Sequence, residues 1–444
     1  MKQQINLGLA SLLFLVGASQ QFFINDLLVT ALLATLVLAL VFWQRADKPT
    51  RVISLVLMAL SWLGVLLSSL TLTFMAGLGL VAFGLYLLVS SAIALWKGKG
   101  NLLVKLLATG LSLVALLPAL ATSYVTIFPG PTFIYLRSAM KMTPDTIDTV
   151  QIEGQTPTGD RVLSNIQYDS QDDNGYLDIY YTSKATSDKP KTLIYVHGGG
   201  YLWGDKVGGD PNAGKNGFEV SPIAIMLEDG YNVVSMNYAL TPSNPFPTAI
   251  KQLNRGLAYL KDHASDYHLN MDEVVLLGGS AGGNLVGLMT NIQTNPAYAK
   301  DLGVTASLAP DTIKAIVFVG GLFNNGQFQE TRSALIDWAF YQMGRLYLET
   351  NDVKKSPQLA ISNVTGYVTA DFPPTFISDG NTATFDAQAF AFENQLTALG
   401  VTNELSYYSV EEAGSLGHSF EESGSEYAIK TFDKIKTFLR QVTQ

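Results

Sequence analysis

The chain has 444 residues, of which 48% are hydrophobic and only 15% are charged, and its formal net charge is −9. Soluble proteins usually carry about 25% charged residues, so part of this chain is unusually apolar. The acidic balance argues against a nucleic-acid-binding protein, which needs a basic surface. The absence of cysteine excludes a disulfide framework, a thiolate metal site and a cysteine nucleophile.

The apolar character is concentrated in the first 125 residues, which hold seven basic and two acidic side chains. A membrane-spanning helix needs about 20 largely apolar residues. Five stretches approach or reach this length: Ile5–Phe23, Leu27–Trp43, Val52–Leu70, Phe74–Trp96 and Leu102–Val125. We therefore predict an all-α transmembrane region of about five helices over residues 1–126, or of four if the first stretch does not span. Because no ionisable residue lies in the middle of a span, the region is expected to anchor the protein and not to transport.

The short connections between these stretches predict their orientation. The connections at 44–51 and 97–105 hold six Lys and Arg residues, whereas those at 18–26 and 71–73 hold none. Basic short loops stay in the cytoplasm. The sequence therefore predicts a multi-pass protein of the cell membrane, with the lipid bilayer as a partner and the C-terminal domain outside the cytoplasm.

A linker over 127–144 leads to a globular domain over 145–444, in which apolar strand patterns alternate with helical ones. Strands are predicted at 192–199, 231–238, 273–280, 315–321, 373–378 and 403–410, and helices at 249–264, 281–292 and 424–442. This alternation indicates an α/β fold, a mostly parallel central sheet flanked by helices. Residues 322–360 interrupt the alternation and are predicted to form a lid or cap.

The motif Gly-Gly-Ser-Ala-Gly at 278–282 falls between a predicted strand and a predicted helix. A sharp turn at such a junction exposes a serine hydroxyl at the edge of the sheet, and crowding there requires glycine on both sides. Ser280 is therefore the candidate nucleophile. A phosphate-binding loop is excluded, since the Lys-Ser/Thr pair of that motif is missing.

A second motif, His-Gly-Gly-Gly at 197–200, also ends a strand and lies upstream of Ser280. Backbone N–H groups in such a position can stabilise the oxyanion that develops during acyl transfer. We assign this role to Gly199, Gly200 and Ala281. His197 itself is expected to be structural.

The general base must be one of four histidines. His263 and His268 follow a polar helix and are expected to be solvated. His418 lies in a glycine-rich loop after the last strand, where the order of nucleophile, acid and base along the chain places it. For the acid, Asp379 directly follows the penultimate strand, and Asp386 remains an alternative at the start of the next helix, where an acid is also favoured by the helix dipole.

With these residues identified, the domain over 145–444 resembles the hormone-sensitive-lipase-like branch of the α/β-hydrolases, a group of bacterial carboxylesterases and lipases. The similarity lies in LDIYYT (177–182), HGGGYLWGDK (197–206), NYALTPSNPFP (237–247), LLGGSAGG (276–283) and LGHSF (416–420). It implies hydrolysis of small-molecule or lipid carboxylic esters through an acyl-enzyme at Ser280, without metal or cofactor. The chain departs from that family at Thr382, where the catalytic Asp often stands.

Two other functions remain open from the sequence. The same triad could serve a cell-envelope acyltransferase or deacetylase. The chain could also be a non-catalytic membrane scaffold with a hydrolase-like fold. The absence of an acid at Thr382 favours this interpretation, whereas the intact serine and histidine motifs argue against it.

Overall fold

The structure, a computed structural model, describes residues 101–142, 149–206 and 218–443, together with scattered residues between 52 and 97. The chain divides into two compact units. The first contains the residues up to Thr132 together with Ala334–Gln342, and the second contains Phe133–Ser333 and Met343–Gln444. The domain boundaries at 126 and 144 stay predictions.

The first unit contains helix α1 (Leu102–Ile127) and the start of helix α2 (Pro129–Ala139). Asn101 caps α1 by accepting a hydrogen bond from the Leu103 N–H. Among the described residues, no helix combines the length and the hydropathy that a membrane crossing requires. The first two predicted spans lie outside the described residues, and the next two are described only in part. The transmembrane region is therefore not confirmed and stays a prediction.

The second unit is built on a sheet of nine described strands. They are β1 (Ile152–Gln155), β2 (Arg161–Gln167), β3 (Tyr176–Tyr181), β4 (Lys191–Val196), β5 (Asn232–Met236), β6 (Asn270–Gly279), β7 (Ile313–Val319), β8 (Thr375–Ser378) and β9 (Asn403–Ser406). Their spatial order is β1-β2-β3-β5-β4-β6-β7-β8-β9. The strands from β4 to β9 pair in parallel, and β1, β2 and β3 extend the sheet in antiparallel fashion beside β5.

This topology confirms the predicted α/β fold with a mostly parallel central sheet. The antiparallel strands β1 to β3 are not among the predicted strands; β1 and β2 are more polar than the central strands, whereas β3 is mostly buried. The central strands read as near-continuous apolar runs, since both of their faces are covered.

Eight further helices follow along the described chain. They are α3 (Pro222–Glu228), α4 (Thr248–Asp262), α5 (Ala281–Thr294), α6 (Pro296–Leu302), α7 (Ala334–Tyr347), α8 (Asp386–Ala398), α9 (Val410–Ala413) and α10 (Glu426–Val442). Helix α7 lies within the segment predicted as a lid, between β7 and β8. The role of that segment stays a prediction.

The core places α5 in the centre of the second unit. Every residue of α5 is buried, whereas α4 and α10 are amphipathic, as surface helices are. On the opposite face, Leu193 and Tyr195 of β4 pack in one cluster with residues of α3 and α10 such as Ile223 and Phe432. The start of α5, which directly follows Ser280, is therefore held by packing in the core.

Candidate active site

The candidate nucleophile sits on a sharp turn between β6 and α5. Strand β6 ends at Gly279 and α5 begins at Ala281, so that Ser280 alone makes the turn, with φ 51° and ψ −117°. A Cβ on Gly278 would lie 2.4 Å from the Gly282 carbonyl oxygen, and one on Gly282 would lie 2.1 Å from the Val196 carbonyl oxygen. Real side chains would clash with backbone at both positions. The glycines of this motif therefore allow the turn that exposes Ser280.

The candidate base lies within hydrogen-bond distance of this serine. His418 Nε2 is 2.8 Å from Ser280 Oγ. Burial lowers the pKa of His418 to about 4, so its imidazole is neutral at pH 7 and can accept a proton. The ring of Phe385 meets the imidazole edge-on, with 5.5 Å between centroids, and restricts its orientation.

The candidate acid, Asp379, follows β8 directly and is 1% exposed. Its Oδ1 accepts hydrogen bonds from the Gly380 N–H, at 2.7 Å, and from the Thr384 hydroxyl. The Thr384 Oγ1 lies in turn 3.0 Å from His418 Nδ1. Burial and the nearby Glu421 carboxylate raise the pKa of Asp379 well above its usual range. The structure thus brings Asp379 into one hydrogen-bonded group with His418 and Ser280.

The alternative acid, Asp386, is engaged elsewhere. It is the first residue of α8, and its Oδ2 accepts hydrogen bonds from Arg332 Nη2 at 2.7 Å and from the Tyr407 hydroxyl at 3.4 Å. An acid at this position is stabilised both by the helix dipole and by the guanidinium. The geometry therefore favours Asp379 over Asp386 as the partner of His418.

The glycine-rich loop at 197–200 lies against the nucleophile turn. A Cβ on Gly198 would be 3.0 Å from the Gly279 carbonyl oxygen. Gly199 and Gly200 have φ values of 100° and 59°, which favour glycine. A side chain on Gly200 would also meet Met343, whose Sδ would lie 2.6 Å from the added Cβ. This close approach brings the loop that carries two of the predicted N–H donors against the turn at Gly279 and Ser280, which Ala281 follows.

His197 forms the buried base of that loop. Its Nδ1 lies 2.8 Å from the Gly198 carbonyl oxygen, and its ring stacks on Tyr238 with 4.4 Å between centroids. The Tyr238 hydroxyl donates to the His197 and Gly198 carbonyl oxygens at 3.1 and 3.2 Å. These contacts agree with the expected structural role of His197. His263 and His268 lie on the surface, where His263 pairs with Asp266 at 2.9 Å.

The far end of the same loop is anchored by a buried ion pair. Lys206 Nζ lies 2.9 Å from Asp178 Oδ1 and donates to Asn165 Oδ1 at 2.8 Å, and both charged side chains are almost fully buried. Removing one member would leave the other charge unpaired in the interior, which costs several kcal/mol. The pair joins Lys206, the last residue of HGGGYLWGDK, to Asp178 of LDIYYT, two of the segments in which the similarity lies.

Two sets of contacts at the site were not predicted from the sequence. The first set is made by Thr384 with Asp379 and His418. The sequence hinted at it only through the absence of an acid at Thr382. The other is made by the segment before the domain, which contacts the backbone just after the glycine-rich loop at 197–200: Arg137 Nη1 donates to the Leu202 carbonyl oxygen at 3.2 Å, and the Gly204 N–H donates to the Met142 carbonyl oxygen at 3.1 Å. These contacts join residues that are far apart in the sequence, so no local sequence pattern predicts them.

Comparison with known proteins agrees with this geometry. The BD-FAE family matches residues 177–388, just under half of the chain. A Mycobacterium tuberculosis protein named "Probable carboxylic ester hydrolase LipM" is 26% identical over 283 residues, which cover 63% of this chain and 61% of that protein. The acetyl esterase of Salmonella typhi is 28% identical over 207 residues, covering 45% and 56% of the two chains. The chain thus spans about three-fifths of the length of these relatives.

Among solved structures, esterase B of Lactobacillus rhamnosis superposes with a TM-score of 0.53 at 21% identity, covering 70% of this chain and 94% of the esterase. At this identity the likeness shows the fold. The second unit therefore has the α/β-hydrolase fold, and the chain is similar in sequence to proteins named as ester hydrolases.

Proposed function

We propose that this chain hydrolyses carboxylic esters, with Ser280 as nucleophile, His418 as general base and Asp379 as the acid of the triad. The observation that carries the proposal is the 2.8 Å contact between His418 Nε2 and Ser280 Oγ, made at a strand-to-helix turn beside a glycine-rich loop. A nucleophile, a base, an acid and oxyanion donors in this arrangement are the parts that acyl transfer requires.

In the first half of the proposed reaction, Ser280 Oγ attacks the ester carbonyl carbon while its proton passes to His418 Nε2. The carbonyl electron pair moves onto the oxygen, which the N–H groups of Gly199, Gly200 and Ala281 stabilise. The dipole of α5 adds to this effect, because its positive N-terminal end lies at Ala281. Each donor of this kind contributes on the order of 3 kcal/mol.

In the second half, His418 returns the proton to the leaving alcohol and the acyl-enzyme forms on Ser280. Water then takes the place of the serine hydroxyl. His418 accepts a proton from the water as it attacks, and the acid leaves when Ser280 recovers its proton. The neutral imidazole at pH 7 suits the two steps in which His418 accepts a proton, first from Ser280 and later from water, since a base must be unprotonated to accept.

The relatives support the choice of ester as the substrate class, because two of them are named as a carboxylic ester hydrolase and an acetyl esterase. We extend the proposal to a protein that is anchored in the cell membrane with its catalytic domain outside the cytoplasm. This extension is supported by the hydropathy and the basic loops of the first 125 residues.

The proposal is tested by assaying the full-length chain in detergent against p-nitrophenyl esters from acetate to octanoate. Ser280→Ala is expected to lower kcat by at least about 10³-fold, because the nucleophile is lost while substrate binding remains. Ser265→Ala, a change at an exposed serine away from the site, serves as the matched control and keeps wild-type activity. Ester hydrolysis that survives Ser280→Ala, or its absence in the folded wild type, contradicts the proposal.

A further inference from the structure

A threonine hydroxyl stands between the acid and the base of the candidate triad. Thr384 Oγ1 lies 3.0 Å from His418 Nδ1 and donates a hydrogen bond to Asp379 Oδ1. Thr384 is fully buried, as Asp379 is. Bulk water therefore has no access to replace this hydroxyl.

We infer that Thr384 is a positioning residue of the active site, which links Asp379 to His418 and fixes the orientation and tautomer of the imidazole. The inference deepens the proposed function and rests on it. It assigns a task to a residue between β8 and α8 that the sequence motifs do not mark.

The chemistry of the hydroxyl sets the direction of these hydrogen bonds. A threonine hydroxyl has one proton to donate and lone pairs to accept. Because the Thr384 hydroxyl donates its one proton to Asp379 Oδ1, only a lone pair of its oxygen is left to face His418. His418 must then carry its proton on Nδ1, which leaves the Nε2 lone pair facing Ser280. This is the tautomer that a general base requires.

During catalysis the hydroxyl holds its proton. When Ser280 forms its bond to the ester carbonyl carbon, the serine proton moves to His418 Nε2 and the imidazole becomes a cation. The Nδ1 proton stays on the imidazole, and the Thr384 proton stays on Thr384. The Thr384 oxygen carries the negative end of the hydroxyl dipole and faces the imidazolium. Asp379 increases this dipole because it accepts the hydroxyl proton in a hydrogen bond.

The neighbouring loop contacts hold Thr384 in this place. The N–H groups of Asn381 and Thr382 donate to the Leu416 carbonyl oxygen at 2.9 and 3.0 Å. A Cβ on Gly380 would lie 2.4 Å from the Gly417 carbonyl oxygen. The segment after β8 and the loop that ends at His418 are thus joined backbone to backbone.

The same contacts show why Thr382, at the family's usual acid position, does not take the role. Its hydroxyl donates to Asn381 Oδ1 at 2.7 Å, and that oxygen also accepts the Leu416 N–H at 3.0 Å. Thr382 therefore supports the loop, and the acid has a different origin, Asp379, whose carboxylate reaches the imidazole through Thr384.

The test compares three variants of the full-length chain in the p-nitrophenyl ester assay. Thr384→Val keeps the side-chain shape without the hydroxyl and is expected to lower kcat between about 10²- and 10⁴-fold. KM should change less than about threefold, since the hydroxyl makes no substrate contact. Thr384→Ser restores the hydroxyl and should recover kcat to within about tenfold of wild type. Ser265→Ala, the exposed control of the ester assay, should keep kcat within about threefold.

A wild-type kcat in Thr384→Val, or an equal loss of kcat in Thr384→Ser and Thr384→Val, overturns the inference. If Thr384→Val does not fold, Thr384→Cys replaces it, because a thiol fills the site but is a weak hydrogen-bond partner. The same loss is then expected, and an unchanged kcat overturns the inference. Failure of the proposed function is distinguishable, since the wild type itself would then hydrolyse no ester.

Discussion

At the scale of single residues, the carboxyl group of Glu421 is buried beside the candidate site. Its Oε1 accepts a hydrogen bond from the Ser378 hydroxyl at 2.5 Å, and its Oε2 is buried with no hydrogen-bond partner among the described residues. Burial raises the pKa of Glu421 to about 7. The carboxylate of Glu421 also raises the pKa of Asp379, one residue beyond Ser378.

This shift predicts a pH-dependent loss of stability. Since the folded-state pKa of Glu421 is raised above the unfolded value, its contribution is fully present below about pH 4.5 and is lost as the pH rises through about 7. The loss amounts to roughly 3 kcal/mol at 1.4 kcal/mol per pH unit. Glu421→Gln cannot ionise and should therefore unfold at a higher temperature than wild type above pH 7.

Thermal unfolding of both proteins from pH 4 to pH 9 measures this difference. The two melting temperatures should converge toward pH 4, where Glu421 is protonated. A gap between them that stays constant over the whole range, or that is largest at pH 4, contradicts the buried ionisation of Glu421.

The residue scale also shows what the sequence could reveal. Ser280 and His418 were identified because each stands in a motif whose glycines and position relative to strands have a physical reason. Asp379 was preferred over Asp386 from its place after β8. Thr384 could not be predicted, since its role depends on the fold of a loop in which two threonines, Thr382 and Thr384, read alike in the sequence.

At the scale of elements, the turn between β6 and α5 and the loop after β4 form one tightly packed unit. A Cβ on Gly282 would lie 2.1 Å from the Val196 carbonyl oxygen and 2.6 Å from that of His197. Both contacts are with backbone, which cannot rotate away as a side chain can. The first turn of α5 is therefore pressed against the end of β4.

Gly282→Ala is accordingly expected to destabilise the protein by at least about 2 kcal/mol through overpacking. The melting temperature should fall by at least about 4 °C. Gly366→Ala is the matched control, because a Cβ there would lie 3.7 Å from its nearest neighbour, an ordinary contact distance. Equal melting temperatures for the two variants would contradict the close packing of α5 on β4.

The elements themselves were predicted unevenly. The apolar strands β4 to β8 and the helices α4, α5 and α10 were found within a few residues of their ends, because buried strands and amphipathic helices have distinct periodicities. The predicted strand at 403–410 is shorter in the structure, where β9 ends at Ser406. Tyr407 and Tyr408 favour a strand locally, but the chain instead turns into α9, which Ser409 caps.

At the scale of the whole molecule, the account predicts that the full-length chain is an integral membrane protein. It should remain in the membrane fraction after an alkaline carbonate wash and should require detergent for release. High pH releases proteins that are held by charge, but it does not extract apolar membrane spans.

The orientation of the chain gives a separate prediction. An alkaline phosphatase fused after Gln444 should be active outside the cytoplasm, because basic loops keep the connections at 44–51 and 97–105 in the cytoplasm.

Release of the chain by carbonate would contradict the anchor, and an inactive phosphatase fusion on a folded, membrane-bound chain would contradict the orientation. Hydropathy alone predicts this region, whereas no sequence pattern predicts the contacts that Arg137 and Met142 make with Leu202 and Gly204. Such contacts between distant segments depend on tertiary structure and could not be predicted from either segment.

The central claim is that Ser280 is the nucleophile of an ester hydrolase, and covalent labelling tests it most directly. Full-length protein is treated with a fluorophosphonate, digested, and mapped by mass spectrometry. The account predicts one phosphonylated residue, Ser280, with ester hydrolysis lost in proportion to labelling and no labelling of Ser280→Ala. Labelling at another residue, or full labelling of Ser280 with hydrolysis unchanged, would contradict the account.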